Sequence, residues 1–246
     1  MEWSKNINLP YIEKDVLFRY ENYYFYFTHP FTCVIAGPTM CGKSFFIKNL
    51  IEISHLRITP IIDEIHYFYG EWQKMFSLMK NVKFFKGLPE LDSYNGEKIF
   101  LLIMDDLMSE SNNRLGNFFT KGAHHKNISI IYVTQNLYNS NRDQRTINLN
   151  TQYLILFENP RDILQIKYLG RSILGRGENE FEEIYRHATS KAYGYLLVDL
   201  KQNTPDQFRY LTYILDDHPK NTNIYKHQNV YIISTYDIYN NDNTQS

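Results

Sequence analysis

Residues 31–53, FTCVIAGPTMCGKSFFIKNLIEI, constrain the fold more tightly than any other segment. An unbroken apolar run of strand length is stopped by Gly37. A short loop with a second glycine follows, and then apolar residues recur at helical spacing from Phe45 to Ile53. A strand with no polar face must be covered on both sides, which favours a parallel sheet with helical returns. The segment therefore commits the chain to a strand–loop–helix unit of an α/β fold.

The loop itself, GPTMCGKS, fits the pattern G-x-x-x-x-G-K-S/T. Gly37 and Gly42 permit backbone conformations that bring successive N–H groups around phosphate oxygens. The start of the next helix adds its positive dipole end. Lys43 has the reach for β- and γ-phosphates, and the Ser44 hydroxyl is a Mg²⁺ ligand in such loops. The candidate nucleotide cradle thus comprises Gly37, Pro38, Thr39, Met40, Cys41, Gly42, Lys43, Ser44 and Phe45. ATP with Mg²⁺ is the expected cofactor. Cys41 reads as a spacer, because the cradle needs backbone at that position rather than a thiol.

Downstream, the most apolar run of the chain, IFLLIMDD, ends in two acids. A carboxylate at the C-terminal end of a buried parallel strand lies where ligands of open α/β sheets bind. Asp105 reads as the Mg²⁺-associated acid, and Asp106 as the base that orients or deprotonates an attacking water. The next continuous strand, ISIIYVTQN, ends in Thr134 and Gln135. Gln135 reads as a γ-phosphate sensor if this strand lies between the loop strand and the acid strand. Arg142, Arg145 and Arg161 are candidates for an arginine that stabilises charge on the transferred phosphoryl group, with Arg145 preferred, then Arg161; Arg171 and Arg176 are weaker. Lys121, His124, His125 and Lys126 form a basic loop suited to a phosphate backbone or a subunit contact.

The remaining pattern predicts strands at 63–70, 82–87 and 151–158, helices at 71–80, 111–125, 161–170 and 178–190, and a closing hairpin from 192–200 and 208–215. The stretch 137–150 reads as a polar connection. One α/β domain over 31–215 follows, preceded by an aromatic-rich leader (1–30) read as an edge strand or a short two-stranded unit, and followed by a polar tail (216–246) whose final residues are expected to be disordered. Lys plus Arg number 26 against 27 Asp plus Glu, so a nucleic-acid partner would have to be met by a local patch. The two cysteines, Cys33 and Cys41, support neither a disulfide framework nor a zinc site, which fits a reducing compartment. No signal-peptide pattern and no membrane-length apolar run is evident, so a soluble protein is expected.

The motifs GPTMCGKS, LLIMDD and GAHHKNISIIYVTQNLY, with RTINLNTQYLILFENPRD, resemble the FtsK/HerA-type genome-packaging ATPases of double-jelly-roll viruses, virophages and Polinton-like elements. The poxvirus packaging ATPase is a more distant relative of that family. The resemblance spans roughly residues 30–215. It implies a P-loop NTPase of the ASCE division: a mostly parallel central sheet flanked by helices, an antiparallel hairpin at the edge, and the sensor strand between the loop and acid strands. It further implies an ATP-driven motor that moves double-stranded DNA into a capsid, working as a pentameric or hexameric ring docked on a capsid vertex protein. Such a protein acts in the virion or at the host-cell site of virus assembly. By that resemblance Lys43 and Ser44 bind phosphate and Mg²⁺, Asp105 assists the metal, Asp106 is the catalytic acid and Gln135 the sensor. Many relatives carry Glu where this chain has Asp106, and the arginine position varies among branches. Two other readings stay open on the residues alone: a P-loop nucleotide or small-molecule kinase, and a cellular or plasmid DNA translocase.

Overall fold

In the computed structural model, which describes residues 25–107, 114–122, 126–138, 142–175, 178–215 and 223–225, the apolar runs become strands buried along their whole length. The chain begins with β1 (Phe27–Thr28), β2 (Thr32–Ala36), α1 (Lys43–Glu52), α2 (Ser54–Arg57), β3 (Ile58–Thr59), β4 (Glu64–Tyr69), β5 (Val82–Lys86) and β6 (Phe100–Asp105). It continues through α3 (Arg114–Asn117), β7 (Ile128–Thr134), α4 (Arg142–Leu149), β8 (Tyr153–Phe157), α5 (Ile163–Leu174) and α6 (Glu178–Ala188). It closes with β9 (Tyr195–Asp199), β10 (Tyr210–Thr212) and β11 (Asn223–Tyr225). The leader before residue 25, His124, His125, Arg176 and most of the tail lie outside the described residues.

Among the described residues the main sheet has nine strands in the order β11-β10-β9-β8-β2-β7-β6-β4-β5. The run from β5 to β8 is parallel throughout, whereas β9, β10 and β11 add an antiparallel edge. The α/β class and the edge hairpin expected from the sequence are therefore present, and β11 extends the sheet past residue 215. The strand ending in Thr134 and Gln135 does lie between the loop strand and the acid strand.

Two cores flank the sheet, because successive side chains of a strand face opposite sides. Cys33 and Ile35 of β2 join Phe46, Ile47 and Leu50 of α1 on one side. Val34 and Ala36 join Ile147 of α4, Ile166 of α5, and Phe181 and Ile184 of α6 on the other. The two-residue strands β1 and β3 pair with each other in a separate small sheet. His29, next to β1, is joined to the strand leading into the site: its Nδ1 lies 2.6 Å from Ser129 Oγ and its Nε2 2.9 Å from Asn127 Oδ1.

Three sequence expectations need correction. The helix expected over 71–80 is a single 3-10 turn, Lys74–Leu78, in which only Phe76 is buried. Its residues serve an aromatic cluster instead: Phe76 packs on Tyr67 (4.8 Å between centroids) and Phe84 (5.4 Å), and Trp72 also packs on Phe84 (5.4 Å). The helix expected over 111–125 is, where described, the short α3 followed by one π-helical turn, Phe118–Gly122. The polar connection at 137–150 contains a true helix, α4, whose buried face carries Gln144 beside Ile147.

Candidate active site

Three neighbouring parallel strands deliver the site at their C-terminal ends. The register sets Ala36 opposite Thr134 and Asp105 opposite Val133. The next residues along each strand, Gly37, Gln135 and Asp106, therefore leave the sheet side by side. This is the crevice where open α/β sheets bind ligands.

The loop from Gly37 to Ser44 needs its glycines for different reasons. A Cβ on Gly37 would come within 2.7 Å of Phe157 Cβ and 2.8 Å of Cys41 Sγ, so packing alone excludes a side chain. Gly42 has φ 109°, a left-handed conformation that L-residues rarely adopt, and it opens directly into α1. Lys43 extends back across the loop, its ammonium donating to the Gly37 and Pro38 carbonyls at 2.6 and 2.7 Å. The charge is thereby held over the cradle of backbone groups. Cys41 lies 3.9 Å from the Lys43 ammonium, and burial pushes its thiol pKa up despite that charge, which fits a spacer.

Asp105 is buried at the end of β6 and accepts a 2.7 Å hydrogen bond from the Tyr67 hydroxyl of the adjacent β4. Burial raises its pKa, and the Asp106 charge adds to that rise. The Tyr67 hydrogen bond and the Lys43 charge oppose it. Asp106 is exposed and holds φ 56°, which aims its backbone away from the strand line. Gly70 makes room for that bend, since a Cβ there would stand 3.0 Å from the Asp106 carbonyl oxygen.

Gln135 is exposed at the cleft wall, and its support is extensive. The Thr134 hydroxyl donates to the Asn136 carbonyl (3.0 Å) and accepts from the Asn136 N–H (3.3 Å), shaping the turn at the cleft wall. Leu137 is then held from both sides, its N–H by Gln165 Oε1 (3.2 Å) and its carbonyl by Asn148 Nδ2 (2.9 Å). Residues of α4 and α5 thus fix the segment that carries the sensor.

The structure gathers Thr39, Met40, Gly42, Lys43, Ser44, Phe45, Asp105, Asp106 and Gln135 around one cleft of about 810 Å³. Arg145 and Arg161 do not line it. Arg145 lines a second cavity of about 1100 Å³, with Gln144, Asn148, Arg209 and Tyr210. Arg161 is exposed, its backbone N–H bound to Asn159 Oδ1 at 3.2 Å. The backbone of Arg142 opens α4. Sequence reasoning missed Tyr67, Gln73 and Tyr193. Gln73 Oε1 lies 3.5 Å from Ser44 Oγ, and Tyr193 overhangs Gly42. Tyr is so abundant here, at 21 residues, that neither tyrosine carries a signal in the pattern.

The donor set suits a hard divalent cation bound together with a nucleotide. Among the described residues no cluster of three or more His, Cys, Asp or Glu could cage an ion. A hydroxyl and one carboxylate, completed by phosphate oxygens and water, is instead how Mg²⁺ binds with a nucleotide. Loop, lysine, hydroxyl and paired acids thus meet at one cleft of a mostly parallel α/β sheet, the arrangement that the motif predicts for phosphate binding.

No protein-family model matches the sequence, and no curated protein matches it either. Among solved structures, the chain is similar to the genome packaging NTPase B204 from Sulfolobus turreted icosahedral virus 2 in complex with ATP-gammaS, at 16% identity and a TM-score of 0.44, over 72% of this chain and 95% of that one. It is also similar to the cytoplasmic domain of the Thermomonospora curvata Type VII secretion ATPase EccC (13% identity, TM-score 0.46, 72% of this chain and 24% of that one). The cytoplasmic domain of EssC shares 13% identity at a TM-score of 0.45, over 87% of this chain and 43% of that one. The chain therefore spans less than half of the EccC and EssC chains compared.

Proposed function

We propose that this chain hydrolyses ATP at the cleft and uses the cycle, in a homo-oligomeric ring, to drive double-stranded DNA into a viral capsid. One observation carries the hydrolytic part: β7 lies between β2 and β6, so Lys43, Asp105, Asp106 and Gln135 converge on one cleft. That strand order also supports placement in the ASCE division.

Phosphoryl transfer asks a protein mainly for positioning and charge stabilisation. The loop N–H groups and Lys43 hold the phosphates. Ser44 and Asp105 would hold Mg²⁺, which when bound neutralises charge on the phosphate oxygens. Asp106 stands exposed one residue beyond the buried Asp105, free to take a proton from water. Gln135, on its fixed turn, orients that water against the γ-phosphate. A second acid beside a polar sensor favours water as the acceptor over a small-molecule hydroxyl. The DNA and capsid part rests on the resemblance carried by GAHHKNISIIYVTQNLY and RTINLNTQYLILFENPRD.

Phosphate release and nucleotide affinity, measured together, test the hydrolytic core. Lys43→Ala is expected to lose binding. Asp106→Asn is expected to bind normally while turnover falls about 100-fold or more. ADP formation that depends on an added small acceptor, with no free phosphate, would replace hydrolysis by a kinase reaction.

A further inference from the structure

Tyr193 sits in the turn between α6 and β9 with φ 62°, a left-handed backbone that is a genuine outlier for a bulky residue. The turn that imposes it is well determined. Gly194 N–H donates to the Lys191 carbonyl at 2.8 Å. A Cβ on Gly194 would fall 2.8 Å from the Ala188 carbonyl oxygen and 2.9 Å from that of Lys191, so the position admits only glycine. On the other flank Tyr195 is buried in β9, its ring edge-on to Phe46 of α1 at 4.9 Å. Because β9 runs antiparallel to β8, with Tyr195 opposite Phe157, it begins at the sheet end that carries the phosphate loop. The strained residue is thereby placed over Gly42, with ring atom Cδ1 3.1 Å from where a Cβ on that glycine would be.

What this placement exposes is unusual for an apolar group. Tyr193 is 68% exposed, and two neighbours on the same cleft, Met40 and Phe45, are 90% and 55% exposed. The cleft has two chemistries: Lys43, Asp105 and Asp106 supply charge at the sheet, while Met40, Phe45 and Tyr193 supply flat or soft apolar surface beside the loop. Strain held by a fixed turn to display a ring in water calls for a ligand with a face to cover it.

We propose that Tyr193 is the platform on which the nucleobase stacks, with Met40 and Phe45 beside it. This rests on the triphosphate site proposed above and adds how the rest of the nucleotide is held. Stacking recognises the face of a base and not its edge. The side chains of Met40, Phe45 and Tyr193 offer a single hydroxyl between them, so the platform takes a base by its face without separating adenine from guanine.

Titration calorimetry on the full chain tests this with Mg²⁺ and three probes: ATPγS, GTPγS and inorganic tripolyphosphate. Tyr193→Asn removes the ring while keeping a residue that tolerates the left-handed backbone; Tyr193→Phe keeps the ring. Tyr193→Asn is expected to weaken ATPγS and GTPγS about tenfold or more, and tripolyphosphate less than twofold. Tyr193→Phe should stay within about threefold of wild type for all three, and wild type should bind ATPγS and GTPγS within about fivefold of each other. Wild-type ATPγS affinity in Tyr193→Asn would overturn the platform. So would equal loss of tripolyphosphate, which would mean that the loop had collapsed. GTPγS bound more than about fivefold more weakly than ATPγS would overturn recognition by the face alone. Failure of the triphosphate site itself would look different: wild type would bind none of the three, and Lys43→Ala would change nothing.

Discussion

The residues that set the chemistry here owe their behaviour to neighbours that no motif contains. Asp105 must be ionised to hold a cation, yet burial raises its pKa and the charge of Asp106 raises it further. The Tyr67 hydroxyl, donating at 2.7 Å, and the Lys43 charge offset that cost. Tyr67→Phe deletes the donor and leaves a buried carboxylate oxygen unpaired. The expected outcome is about a tenfold rise in the Mg²⁺ concentration for half-maximal turnover, with Mg²⁺-free nucleotide affinity unchanged; metal titrations of phosphate release check it. The loop, both acids and Gln135 were legible in the sequence, because each stands at the end of an apolar run. Tyr67 and Gln73 were not. Their roles come from strand register and a loop crossing, which single-sequence periodicity does not encode.

At the level of elements, legibility followed burial. Strands β2, β6, β7 and β8 are buried at every residue, so their apolar runs were unmistakable. α4 escaped notice because part of its buried face is polar: Gln144 is 3% exposed and donates to Asn148 Oδ1 at 3.0 Å. The segment 71–80 misled in the opposite way, since Trp72 and Phe76 mimic a helical stripe while packing on β4 and β5. The junction of β1 with β7 makes a pH prediction. The Ser129 hydroxyl accepts from the Phe31 N–H and lies 2.6 Å from His29 Nδ1, while His29 Nε2 lies 2.9 Å from Asn127 Oδ1. Burial lowers the His29 pKa, against an opposing hydrogen bond to Asn127, so the folded protein favours the neutral ring. In the unfolded chain the imidazole titrates near 6.5, so its protonation favours unfolding. The stabilisation is complete above about pH 6.5 and declines as the pH falls below it. Thermal unfolding from pH 7.5 to 5.5 is expected to show a falling midpoint, with a shallower slope in His29→Gln.

At the scale of the whole molecule, the cleft brings together Lys43, Asp105, Asp106 and Gln135, and among the described side chains neither Arg145 nor Arg161 lines it. Arg145 lines a separate cavity, so in the proposed ring it would act on the phosphoryl group of a neighbouring copy. Arg145→Ala is accordingly expected to bind nucleotide and fail to turn over, and mixing with Asp106→Asn subunits should restore activity. Inactive mixtures that still assemble would rule out an arginine supplied in trans. The proposed ring, DNA and capsid are the parts that neither the cleft nor the strand order encodes, and they rest on the resemblance carried by residues 122–138 and 145–162. The central claim is that hydrolysis at this cleft is coupled to double-stranded DNA, and phosphate release by the full chain, titrated with duplex DNA, tests it most directly. The account expects release that rises several-fold with duplex, needs no small-molecule acceptor and vanishes in Lys43→Ala. Release indifferent to duplex at every concentration, from a protein that binds ATP, would contradict it.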